Sequence, residues 1–88
     1  MSFEIFFDEK ASNYLRRLSE KNKDDIKKKV KELEKFPDRG KHLRHVPFRN
    51  LRIGDYRMIY EVDSVEKKII IMFVGHRKNV YDDFSKLF

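Results

Sequence analysis

Apolar and polar residues alternate at the start of the chain, where Phe3, Ile5 and Phe7 are spaced by Ser2, Glu4 and Phe6. A period of two is the period of a strand, so the pattern predicts a strand over residues 2–7 with one strongly apolar face. The period then lengthens. Ala11, Tyr14, Leu15 and Leu18 follow the i, i+3, i+4, i+7 spacing of a helix face, Asp8 stands where a cap belongs, and the helix is expected to end near Lys21. After Asn22 a second stripe of Ile26, Val30, Leu33 and Phe36 predicts another helix, stopped by Pro37. Residues 38–49 are rich in Gly, Pro, Arg and His without periodicity and read as a long loop. Strands are expected over 48–53, 56–63 and 67–74, joined by the short turns Gly54-Asp55 and Asp63-Ser64-Val65-Glu66. The run Ile69 to Val74 is apolar at every position, as in a central strand covered on both faces. Val80, Tyr81, Phe84, Leu87 and Phe88 recur at near-helical spacing, predicting a short terminal helix or an extended arm.

The resulting order is β-α-α-β-β-β: an α+β fold with an N-terminal helical hairpin packed on a mainly antiparallel four-stranded sheet. With 88 residues the chain suits one domain, 1–88, and is too short for two cores. Composition narrows the class. Hydrophobic residues are 40% and charged residues 41%, so a core is affordable beneath a heavily charged surface. No cysteine is present, which excludes disulfides and thiolate metal sites. The longest apolar run, Ile69 to Gly75, falls far short of the roughly 20 residues that cross a bilayer. Nothing at Met1-Ser2-Phe3-Glu4 resembles a signal peptide. The expectation is a soluble, cytoplasmic protein with no membrane partner.

Charge adds a location. The formal net charge is +6, and between Arg39 and Arg57 six basic residues (Arg39, Lys41, Arg44, Arg49, Arg52, Arg57) face the single acid Asp55. Such a stretch suits a polyanion or an acidic protein partner, because neutralising phosphates releases counterions and arginine grips phosphate with two parallel bonds. Ordinary surface charge is the competing reading. Lys27, Lys28, Lys29 and Lys31 spread around the second helix among acids, and read as a solvated face.

Two blocks then carry a resemblance. Leu51-Arg52-Ile53-Gly54-Asp55-Tyr56-Arg57-Met58-Ile59-Tyr60-Glu61-Val62, followed by Val74-Gly75-His76-Arg77-Lys78-Asn79-Val80-Tyr81, resembles the signature of the RelE/ParE toxin superfamily. Pro37 after the second helix and Leu43 in the loop are consistent with it. The resemblance implies the toxin of a type II toxin–antitoxin system, neutralised by a cognate RelB-like antitoxin that is acidic or amphipathic. In the RelE branch it implies a ribosome-dependent endoribonuclease that cuts mRNA in the A site and inhibits translation. The ParE branch instead inhibits DNA gyrase, and a non-catalytic RNA- or ribosome-binding module is a third reading.

RNA cleavage without metal requires loss of the 2′-hydroxyl proton, stabilisation of a phosphorane and protonation of the 5′-oxygen. Arginine suits the second task. Arg57 and Arg77 match the positions of the family's catalytic arginines, and Tyr81 its functional tyrosine, which can stack on a base or serve in packing. Model RelE enzymes carry lysines where Asn50 and Arg52 stand here, and an arginine is a poor proton acceptor. His76 is the substitute base, provided the strand ends at Gly75, since alternation otherwise turns His76 to the face opposite Arg77. The catalytic set is therefore Arg52, Arg57, Arg77, Tyr81 and His76, with Lys41, Arg44, Arg49 and Lys78 expected to contact RNA around it. His42 and His45 have no further ligand at metal-site spacing, so neither metal nor cofactor is expected.

Overall fold

The computed structural model describes residues 2–76 and Lys78, so Arg77, Tyr81 and the terminal helix or arm expected over the tail lie outside the described residues. The elements are β1 (Glu4–Phe7), α1 (Glu9–Arg16), α2 (Glu20–Leu33), β2 (Lys41–His42), β3 (Phe48–Ile53), β4 (Tyr56–Asp63) and β5 (Lys68–His76). Asp8 caps α1 as expected, its carboxylate accepting from the Lys10 N–H at 3.0 Å.

The break between the helices falls earlier than Asn22. Arg17 and Leu18 tighten onto the Tyr14 and Leu15 carbonyls, and Ser19 caps α2 by accepting from the Asn22 N–H at 3.3 Å. A hydroxyl in an extended residue satisfies an orphan donor of the first turn, and this local signal outweighs a helical period that would otherwise run on through Leu18.

The sheet order is β1-β5-β4-β3-β2, with β1 parallel to β5 and every other pairing antiparallel. The α+β class is as expected, but the sheet has five strands rather than four, because the loop after α2 contributes β2. Both helices cover one face. Ala11 of α1 and Ile26, Val30 and Leu33 of α2 bury themselves against Ile53, Met58, Tyr60, Ile69, Ile71 and Val74. On the other face Ile59 and Phe73 form a smaller cluster with Leu43 and Phe48.

One irregularity decides which side chain faces which way. Opposite Ile59 and Tyr60 the register of β5 slips, pairing Ile59 with Phe73 and Tyr60 with Ile71, so Met72 is an extra residue. The bulge lets Ile69, Ile71 and Val74 all face the helices while Phe73 faces away. Beyond it, Gly75 stands beside Arg57 and His76 beside Tyr56.

Candidate nucleic-acid interface

The face of the sheet away from α1 and α2 carries three of the basic residues, Lys41, Arg52 and Arg57. β3 and β4 are joined by Gly54-Asp55, with Gly54 at φ +60 as a two-residue hairpin turn demands, and this register sets Arg52 directly opposite Arg57. Cross-strand partners share a face, so both guanidinium groups lie on the side carrying Phe48, Asn50, Ile59 and Phe73. Arg52 is exposed and its Nε donates to the Gly54 carbonyl at 3.3 Å, while Arg57 is half-buried. Like charges directly opposite in a sheet repel, and a bound anion reverses that penalty by accepting from both. Lys41 belongs to the same face, since it pairs with Asn50 two positions along β3 from Arg52.

The structure does not bring His76 to this pair. Its register partner is Tyr56, and both rings lie on the helix-bearing side, 5.9 Å apart at 75°. The Tyr56 hydroxyl accepts from Asn22 Nδ2 of α2 at 3.2 Å, and Tyr14 of α1 meets the same ring edge-on at 6.5 Å. The Nδ1 of His76 accepts from the Lys78 N–H at 3.3 Å, which places the ring proton of the neutral form on Nε2. β5 runs on through His76, so strand alternation, shifted by the bulge, holds it on the wrong side of the sheet to accept a proton beside Arg57.

Arg49 also departs from expectation. It too points to the helix side, where its Nη1 donates to the Gly40 carbonyl at 2.8 Å and reaches the Asp38 carbonyl at 3.5 Å. Arg44 is exposed in the turn after β2, and Lys78 is exposed just past β5. Arg77 and Tyr81 lie outside the described residues. Among the described residues no group of three or more His, Asp or Glu side chains gathers as metal ligands would.

Two features escaped the sequence reading. Lys28 and Lys29 of α2, treated as a solvated run, border a groove with Arg52 at the edge of β3, together with Asp25 and Glu32. Tyr60 is fully buried, and its hydroxyl accepts from the Gly40 N–H at 2.7 Å and donates to the Pro37 carbonyl at 2.9 Å. Burial pushes its pKa above the ordinary tyrosine value, against the opposing pull of the Gly40 hydrogen bond and Arg49. The lysines show no spacing that separates them from any charged helix, and Tyr60 and Gly40 are 20 residues apart.

A two-helix layer on a mixed sheet whose other face carries Arg52 opposite Arg57 defines a small basic α+β protein. A family model described as the ParE toxin of a type II toxin–antitoxin system, parDE, matches residues 5–81, and the chain belongs to this family, within the RelE/ParE superfamily. Among solved structures it is similar to a free variant of the Escherichia coli toxin RelE in which two arginines are replaced by alanine, at 29% identity and TM-score 0.78, covering 99% of this chain and 98% of that one. It is similar to the toxin–antitoxin complex RelBE2 from Mycobacterium tuberculosis, at 26% identity and TM-score 0.81 over 88% of this chain and 100% of that one. The intact E. coli RelBE toxin–antitoxin complex matches at 28% identity and TM-score 0.76, covering 85% of this chain and 96% of that one. No curated protein matches. No helix among the described residues is long and apolar enough to cross a membrane.

Proposed function

We propose that this toxin is a metal-independent endoribonuclease that cuts mRNA on the ribosome. The observation that carries the reading is the facing pair Arg52 and Arg57 on the side of the sheet away from α1 and α2. In the proposed reaction the 2′-hydroxyl gives its proton to a water molecule, the 2′-oxygen attacks phosphorus, and the bond to the 5′-oxygen breaks as that oxygen takes a proton from water, leaving a 2′,3′-cyclic phosphate and a 5′-hydroxyl. Arg57 and Arg77 neutralise the phosphorane oxygens, Arg52 holds the phosphate from the neighbouring strand, and Tyr81 stacks on a base. Lys41 and Arg44 extend the contact along the backbone, and Lys78 adds charge past the end of β5. His76 serves in packing against Tyr56 rather than in proton transfer. No cofactor enters this chemistry.

A cognate RelB-like antitoxin is the proposed protein partner. The chain offers such a partner a cleft of about 630 Å3 between α1, α2 and β1, lined by Ile5, Phe7 and Val30 and flanked by Arg16, Lys27 and Lys31. An apolar floor with a basic rim fits an acidic amphipathic segment.

The test is mapping of mRNA 5′ ends in a translation extract given the purified chain, with and without ribosomes engaged on the message. Cuts confined to translated message support the nuclease, and intact message under halted translation identifies a non-catalytic ribosome binder. Intact message, normal translation and blocked supercoiling would establish gyrase inhibition, the second reading, which the ParE description of the family model favours.

A further inference from the structure

β2 presents a physical problem. It has two residues and is attached by two register pairs, Lys41 with Asn50 and His42 with Arg49, and it follows a segment without repetitive structure. Ladder bonds over so short a stretch do not by themselves order a strand. Its attachment comes from elsewhere. Tyr60, in the middle of β4 and fully buried, acts as a fixed post whose hydroxyl takes the Gly40 N–H at 2.7 Å and gives its own proton to the Pro37 carbonyl at 2.9 Å. Arg49 closes the same segment from β3 through the Gly40 carbonyl at 2.8 Å. A Cβ at residue 40 would meet the Tyr60 Oη at 2.6 Å, so the approach is possible only because the residue there is glycine. Past β2, the Leu43 N–H donates to the Phe48 carbonyl at 2.8 Å and the Leu43 side chain joins the cluster around Ile59.

The clasped residue immediately precedes Lys41, which the register sets on the same face as Arg52 and Arg57. We propose that Tyr60 and Arg49 are positioning residues, which fix Lys41 and the Arg44 turn beside the arginine pair so that one nucleic-acid backbone meets both. This rests on the reading of the arginine face as an RNA contact. Arg49 thus acts on RNA through the loop it holds, not by touching it.

The experiment uses the full chain, with hydrogen exchange and with binding and cleavage on ribosomes programmed with a short message and an open A site. Tyr60→Phe keeps the buried ring and removes both hydroxyl bonds. The Gly40 amide is expected to exchange at least tenfold faster while amides of β5 keep their rates relative to global unfolding. Half-saturation for the programmed ribosome is expected to rise severalfold with the maximal cleavage rate unchanged. Arg49→Gln should show the same split, which guards against a Tyr60 variant that fails to fold. In a Lys41→Ala/Arg44→Ala background, the same two substitutions should change binding no further. An unchanged Gly40 amide, or an equal loss of binding in both backgrounds, overturns the positioning role while leaving the nuclease reading standing. If the unsubstituted chain binds no ribosome, the nuclease reading falls and the positioning role falls with it.

Discussion

Gly40→Ala tests the packing around Tyr60 most directly. The added methyl would lie 2.6 Å from Oη, 2.8 Å from Cε1 and 3.0 Å from Cζ of Tyr60, all closer than ordinary contact. Tyr60 is fully buried, so the ring has no free volume to retreat into, and the strain of such overpacking is roughly 1–3 kcal/mol. If the loop moves instead, the Gly40 N–H and the phenol lose each other inside the protein, at about 1–3 kcal/mol. The two routes are alternatives, so the cheaper one sets the cost; a net loss of about 2 kcal/mol is expected, a fall in Tm on the order of 10–15 °C for a domain of this size. Gly54→Ala is the control. Nothing lies within 4 Å of its added methyl, and only its φ of +60 is strained, at roughly 1–2 kcal/mol. Thermal and urea unfolding of both variants decide the matter. A Gly40→Ala chain as stable as the unsubstituted protein would refute the clash with Tyr60.

Arg52→Glu converts a facing like-charge pair into an opposite-charge pair, so stability should rise by up to about 1 kcal/mol while activity is lost; a destabilised variant in thermal unfolding contradicts the assignment. His76→Gln should keep most of the cleavage rate, because His76 lies across the sheet from Arg57, and a loss of a hundredfold or more with Tm unchanged would restore it as the base. Tyr60 gives a pH signature. Its phenol is held above the ordinary value of 10.0, so its contribution to stability is intact below that pH and is lost as pH rises from there through the raised folded value. Urea unfolding above pH 10 should therefore show a steeper decline for the unsubstituted chain than for Tyr60→Phe, and parallel declines would contradict the burial argument.

The strands and helices that build the core were legible because their periods are long enough to read: Ile26, Val30 and Leu33 for α2, and alternation through β3 and β4. The β3–β4 hairpin was legible for a related reason, since Gly54-Asp55 marks a two-residue turn, and the register of that hairpin is what sets Arg52 opposite Arg57. β2 was not, because two residues carry no period and its anchors are Tyr60 and Arg49, distant in sequence. The helix break was misplaced because Leu18 continued the helical spacing, whereas Ser19 offered the stronger capping chemistry. The side taken by His76 turned on where β5 ends: the strand runs on through His76 rather than stopping at Gly75, and the bulge at Met72, which an apolar run does not announce, sets which β4 residue stands beside it.

Met72 makes the way β5 pairs with β4, as much as its composition, a determinant of the site. A strand distinguishes its two sides only by odd and even positions, and one surplus residue resets that count for everything after it. Pairing the same residues with β4 without the bulge would set Val74 beside Arg57 and exchange the sides of Gly75 and His76, whereas removing Met72 would close the bulge and leave Gly75 beside Arg57 and His76 beside Tyr56. The Gly-His-Arg motif read letter by letter therefore does not say which of its residues stands beside Arg57; the presence of the bulge does.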